Sequence, residues 1–152
     1  MDKIDTTILK FLQKNARITA SEISKDVKLS IPALSERLKK LEASGVIQQY
    51  TTILNPRKLK KDLTAMMSIS LERPKYTEKF MEFVQGENEI LECHYLAGDF
   101  DYILKIITEN TFTLESLLNK IKSVQGVQKT RTIVVLSTVK NMYSIVPESE
   151  IE

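Results

Sequence analysis

Between Thr19 and Tyr50 the chain reads TASEISKDVKLSIPALSERLKKLEASGVIQQY, and the order of signals in that stretch limits what it can fold into. Thr19 with Glu22 three residues on is a capping box, so a short helix starts just after Thr19. Ile23 and Val27 stand one turn apart on its buried side. Val27 to Ser30 breaks that helix, and Ser30 is an N-cap for a second, with Pro32 tolerated in its first turn. Ile31, Leu34, Leu38 and Leu41 follow at spacings of three and four, which leaves Ala33, Ser35, Glu36, Arg37, Lys39 and Lys40 off the apolar stripe. Gly45 suits the left-handed residue that ends such a helix. A short helix, a tight turn, a longer basic helix and a β-rich run is the order in which a helix-turn-helix or winged-helix module lays one helix in a DNA groove.

The charge distribution points the same way, although the net charge of +2 hides it. From Met1 to Lys61 there are thirteen Lys or Arg against six Asp or Glu, a net of +7, while the remainder has nine against fourteen, a net of −5. The basic half attracts a phosphate backbone and releases its counterions; the acidic half repels it. The plainer alternative is that Arg37, Lys39 and Lys40 form a solvated helix face.

Composition narrows the remaining classes. The 152 residues, 42% hydrophobic and 28% charged, suit one ordinary globular domain or two small ones. No apolar run approaches eighteen residues, so no membrane-spanning helix is expected. Asp2, Lys3 and Asp5 do not have the basic-then-apolar order of a signal peptide, and one cysteine, Cys93, fits a reducing cytoplasm.

A first helix from Ile4 to about Asn15, capped by Asp2, places Ile4, Ile8, Phe11 and Leu12 on one face and completes a three-helix core. After Gly45 the run Val46 to Leu54 reads as a wing or long strand, stopped by Asn55 and Pro56. Arg57, Lys58, Lys60 and Lys61 then make a polar connection. A boundary near Asp62 divides the chain into a DNA-binding domain with hinge strand, 1–62, and a second domain, 63–152.

In the second domain the period switches. Thr64 to Leu71 alternates as a strand. Tyr76, Phe80, Phe83 and Val84 stripe a helix ended by Gly86. Ile90 to Ala97 and Asp101 to Thr108 are strands around a hairpin turn at Gly98 and Asp99. Leu114, Leu117, Leu118 and Ile121 stripe a second helix, and Val127 to Thr138 is a last strand. This order predicts an α+β chain whose second domain is a ferredoxin-like βαββαβ sheet, with the first and third strands central and both helices on one face. Ile133, Val134, Val135 and Leu136 make both sides of the last strand apolar, and Ile103 with Ile107 says the same of the third. A partner surface, most simply a second copy, is expected on the uncovered face.

Taken together these residues resemble the leucine-responsive regulator and AsnC group, the Lrp/AsnC or feast/famine family. The resemblance runs through Ile4-Asp5, Ile8-Leu9, Arg17-Ile18, Glu22-Ile23-Ser24, Leu29-Ser30, Glu36-Arg37-Leu38, Leu41-Glu42 and Gly45 to Tyr50. It continues in Glu92-Cys93-His94, Gly98 to Tyr102 and Thr130-Arg131-Thr132. It implies a winged helix-turn-helix domain, a ferredoxin-like effector (RAM) domain, homodimers assembling into octamers, and regulation of transcription on double-stranded DNA by a small metabolite, often an amino acid. The family's helix-turn-helix corresponds to about Ala20 through Lys39. Ser30, Ala33, Ser35, Glu36 and Arg37 are the groove-facing candidates, with Arg37 for a bidentate guanine contact and Lys39 and Lys40 for phosphate. Ala20, Ser21 and Lys28 complete the candidate DNA-binding set. Glu36 and Arg37 could instead pair with neighbours and hold the helix surface together. The family's effector loop corresponds to Gly98, Asp99, Asp101 and Tyr102, with walls from His94, Tyr95, Leu96, Thr132, Ile133, Val134 and Val135. There a carboxylate such as Asp101 can hold an ammonium group while amides near a glycine turn hold a carboxylate; alternatively Asp99 and Asp101 only shape the hairpin.

Cys93 and His94 are adjacent on a strand and so point to opposite faces, with no second Cys or His to complete a metal site. No cofactor other than an amino-acid effector is expected, and no enzyme. Two other functions stay in view: an effector-independent protein that wraps DNA around an oligomer, and a small-molecule enzyme or binding protein using Asp99, Asp101 and His94, which has no nucleophile or phosphate loop to support it.

Overall fold

The computed structural model describes residues 1–148, so the last four residues of the expected second domain lie outside the described part. The chain divides into two units, one made of residues 1–53 with the segment from Lys140 onward, the other of residues 54–139. The division therefore falls nine residues before the expected boundary. Residues 54–62 belong with the second unit, where Lys61 Nζ lies 3.1 Å from Glu89 and 3.5 Å from Glu109.

The first unit contains α1 (Lys3–Lys14), α2 (Ala20–Val27) and α3 (Ile31–Ala43). Each start follows its cap: Asp2 accepts from the Asp5 N–H, Thr19 from Glu22 and Ser30 from Ala33. The Thr19 box is complete, because Glu22 Oε2 also accepts from the backbone N–H and hydroxyl of Thr19 at 2.8 and 2.7 Å. Lys28 ends α2 in the left-handed region at φ 54°, which turns the chain into α3. Ile8, Leu9, Ile23, Leu34 and Leu41 form the buried core, with Leu38 half-buried against it. Ile31, expected on that stripe, is 51% exposed because the first turn of α3 extends beyond the core.

Two strand expectations change. Val46 to Leu54 forms no strand or wing hairpin. Its β-rich residues have no ladder partner within the described chain, and Val46, Tyr50, Ile53 and Leu54 are exposed. The last strand stops at Val135, not Thr138, since Val135 already lies opposite Thr64, near the start of the strand it pairs with.

The second unit runs β1 (Leu63–Leu71), α4 (Thr77–Gly86), β2 (Ile90–Tyr95), β3 (Tyr102–Thr108), α5 (Thr111–Ser123) and β4 (Val127–Val135), with short 3-10 turns at Pro56–Leu59 and Pro74–Tyr76. The sheet is antiparallel in the order β2-β3-β1-β4, so the first and third strands are central. Ala65, Met67 and Ile69 from β1 and Leu104 and Ile106 from β3 point to one face, where Phe80, Leu117 and Ile121 from the helices cover them completely. Each such large side chain gains about 1.5–3 kcal/mol from leaving water. Met66, Ser68, Ile103, Lys105, Ile107, Ile133 and Val135 share the other face by register. That face carries no helix, and Ile133 is 52% exposed.

Gly126 shows how closely the Pro74–Tyr76 turn that leads into α4 is seated. Its φ is +94°, and a Cβ there would run into the Tyr76 ring, so Gly126→Ala is expected to destabilise the second unit on both counts, read as a fall in its melting temperature. In the first unit, Thr19→Ala should cost about 1 kcal/mol in urea unfolding. The Thr19 hydroxyl, followed by its N–H, holds the Glu22 carboxyl below the ordinary glutamate value. A carboxyl lowered in this way contributes stability above its unfolded value and loses it as pH falls through the folded value. The stability gap between Thr19→Ala and the parent should therefore narrow in acid below the ordinary glutamate range.

Candidate DNA-binding and effector surfaces

α3 presents Pro32, Glu36, Lys39, Lys40 and Ala43 to solvent at spacings of three and four. Among the other candidates, Ser21, Lys28 and Ser30 are exposed, while Ala20, Ala33 and Ser35 are half-buried. The Ser30 hydroxyl is engaged by the Ala33 N–H at 3.3 Å, so its oxygen works as a cap. Glu36, Lys39 and Lys40 carry no ion pair among the described residues.

Arg37 departs most from the expectation of a guanine reader. Its Nη1 donates to Asp2 Oδ2 at 2.6 Å and to Asp5 Oδ1 at 2.7 Å. Those hydrogen bonds raise the Arg37 pKa, and the Asp2 carboxyl is lowered by the Asp5 N–H first and then by the hydrogen bond from Arg37. The guanidinium thus joins α3 to the first turn of α1, in line with the alternative that it holds the helix surface together. Nothing in the spacing of α3 names these partners, which lie 32 and 35 residues away.

The expected two-residue turn at Gly98 and Asp99 is a six-residue connection, 96–101, between β2 and β3. Gly98 does not occupy the left-handed region that a tight two-residue hairpin turn needs. The loop is secured to the neighbouring strands. The Leu96 N–H donates to the Asp101 carbonyl at 2.7 Å, the Asp101 N–H to the Ile69 carbonyl at 2.9 Å, and the Ser70 hydroxyl to the Asp99 carbonyl at 3.4 Å. Asp101 Oδ2 accepts from the Leu71 N–H at 2.7 Å, so one of its carboxylate oxygens already has a structural task. Asp99 is exposed and its carboxylate has no hydrogen-bond partner among the described residues.

The remaining effector candidates do not come together within one chain. Tyr102 is buried, with its ring centroid 5.0 Å from Phe80 and 5.3 Å from Tyr95. His94 lies opposite Ile103 on the uncovered face, and its neighbour Cys93 lies opposite Leu104 on the helix face. Thr132 and Val134 face the helices while Ile133 and Val135 face away. The loop joins the Ile69 end of β1, whereas Val135 lies opposite Thr64, roughly 17 Å along the strand. The side chains that neighbouring strands bring to the loop include Ser70 and Lys129, whose Nζ sits 5.2 Å from the ring centroid of Phe100 in the loop itself. Phe100 lies within the motif that carries the family resemblance, whereas nothing local in the sequence marks Lys129, because only the strand register brings β4 beside the loop.

A winged helix-turn-helix DNA-binding profile matches residues 1–48, and the Lrp/AsnC ligand binding domain profile matches residues 64–145. The chain belongs to the Lrp/AsnC family. It is 42% identical over 149 residues to the leucine-responsive regulatory protein of Escherichia coli K12, covering 96% of this chain and 91% of that one. It is 41% identical over 140 residues to the HTH-type transcriptional regulator FL11 of Pyrococcus abyssi, covering 92% of each. Among solved structures, a transcriptional regulator from Neisseria meningitidis in complex with L-Met superimposes with a TM-score of 0.90 at 33% identity, over 95% of this chain and 96% of that one.

As a member of the Lrp/AsnC family the protein is a DNA-binding transcriptional regulator with a ligand-binding domain, and the family consists of regulators rather than enzymes. Among the described residues no helix is long and apolar enough to cross a membrane. If Lys39 and Lys40 contact phosphate, replacing either with Ala should weaken binding to all duplexes alike. It should also reduce the slope of log affinity against log salt by about 1, measured by fluorescence anisotropy.

Proposed function

We propose that this protein binds specific DNA sequences through the solvent face of α3 and that a free amino acid, bound at the 96–101 loop, sets its DNA affinity or assembly. The observation that carries the reading is the match of residues 64–145 to a ligand-binding domain, together with near-complete likeness to a relative crystallised with L-Met. An amino acid needs one acceptor for its ammonium and donors for its carboxylate. Asp99 is the better ammonium partner, since its carboxylate is exposed and unengaged while Asp101 already serves the Leu71 N–H. Lys129, beside Phe100, stands near the same loop as a cation.

The uncovered sheet face supports a second part of the proposal, a homodimer. Met66, Ile103, Ile107, Ile133 and Val135 form an apolar centre there, and the Glu92–Lys105 ion pair at 2.7 Å shares the face. A second copy presenting the same surface would exclude water from both. The family resemblance extends this to dimers assembled into octamers. An effector changes DNA affinity only if it favours one geometry of that assembly over another.

Two measurements check these points. In a screen of L-Met and the other common amino acids, at least one is expected to raise the melting temperature of the intact protein, by an amount equivalent to about 2.7 kcal/mol at a hundredfold excess over Kd. Asp99→Asn should abolish that rise without changing the melting point of the unliganded protein, whereas Asp101→Ala should lower the melting point itself. If no amino acid changes melting or DNA binding, the protein is an effector-independent DNA-wrapping one instead. In sedimentation, Ile133→Asp is expected to shift the protein to monomers; an unchanged mass would place the dimer contact elsewhere.

A further inference from the structure

The three helices of the first unit share an apolar core of Ile8, Leu9, Ile23, Leu34 and Leu41. Such packing fixes which face of α3 is buried, because a large roll would return Leu34 and Leu41 to water, yet it constrains small rolls about the helix axis less sharply than directional bonds do. A DNA-reading helix needs that roll defined. A roll of only a small fraction of the roughly 100° between successive residues already displaces the tips of the Glu36, Lys39 and Lys40 side chains.

Arg37 lies on the flank of α3, between the buried positions Leu34 and Leu41 and the exposed positions Glu36 and Lys40. One guanidinium nitrogen, Nη1, bridges both Asp2 and Asp5, and the three side chains are 32%, 49% and 20% exposed. Asp2 is itself held, since its Oδ1 accepts from the Asp5 N–H at 2.7 Å and caps α1. The anchor therefore stands on an ordered helix start and not on a free side chain. Two directional, charge-assisted bonds from one flank to a neighbouring helix oppose the roll that the apolar stripe permits.

We propose that Arg37 is a positioning residue for DNA recognition, setting the roll of α3 through Asp2 and Asp5 and leaving DNA contact to the Glu36, Lys39 and Lys40 face. The inference rests on the DNA-facing assignment of that face. It makes a prediction opposite in sign to simple electrostatics. Removing Asp2 and Asp5 makes the basic unit more positive by two charges, which alone would tighten DNA binding. Loss of positioning weakens it.

The test uses the full-length protein and a duplex that it recovers from a random-sequence pool, with the unselected pool as comparison. Asp2→Asn/Asp5→Asn and Arg37→Met are both expected to bind the recovered duplex less well, by roughly fivefold, the size of a partly exposed ion-pair coupling. Base preferences and the salt slope should stay those of the parent, since no base or phosphate contact has been removed. The exchange Arg37→Asp/Asp5→Arg should recover part of the loss. Melting curves of each variant establish that it is folded, and Asp5→Asn alone serves if the double variant is not. Parental or tighter binding by the aspartate variant would overturn the proposal, as would loss of preference at a single base position in Arg37→Met. Failure of Lys39→Ala and Lys40→Ala to affect binding would instead overturn the assignment of the face.

Discussion

In the second unit, α4 and α5 both lie on one side of a sheet that is apolar on both sides. The right-handed crossovers of a βαββαβ chain put both helices on the same face, so the core of Phe80, Met67, Ile69, Leu104 and Ile106 is satisfied within one chain. The remaining face is left with Ile133 exposed to water and Val135 half-buried. The chain spends apolar residues on a surface that its own topology cannot cover, and it is on this imbalance that the proposed homodimer rests. The same one-sidedness shapes the 96–101 loop. It springs from the edge pair β2 and β3 and is held to β1 by the Asp101 carboxylate and the Ser70 hydroxyl, so it sits where sheet and loop meet and not inside a closed cavity.

Much of the architecture was legible because it is encoded locally. A capping box is two side chains and two amides within four residues, and Thr19 with Glu22 announces α2 without reference to anything distant. The alternation of Ala65, Met67 and Ile69 gives the orientation of β1 in the same way, and the order of periods gives the sheet. What could not be read were features that depend on partners remote in sequence. Val46 to Leu54 has the composition of a strand, but a strand exists only with a neighbour to complete its ladder. The end of β4 is decided by the length of β1, and the connection at Gly98 by hydrogen bonds to Ile69 and Leu71. The chemical type of Arg37 fits either a guanine or a pair of carboxylates. Only the fold shows that Asp2 and Asp5 reach it first.

The candidate effector residues illustrate the same limit from another side. Carrying the family's loop and wall residues onto this chain named a set that spans the length and both faces of the sheet. Within one chain the loop meets β4 near Lys129 and Thr130, not at Thr132 to Val135. A set so dispersed does not form one site within a single chain, since Thr132 and Val134 lie on the opposite sheet face from Ile133 and Val135.

The first unit is not made from one continuous stretch of sequence. After β4 the chain returns to it, where Gln13 Nε2 donates to the Ile145 carbonyl at 2.6 Å and to the Ser144 hydroxyl at 3.1 Å, and Pro147 is buried. A ribosome produces residues 140–148 only after the whole of 54–139. The helices that meet DNA therefore emerge first but acquire their closing segment only once the ligand-binding half has been synthesised. A chain interrupted in that half would carry the reading helix without the strap that belongs to it.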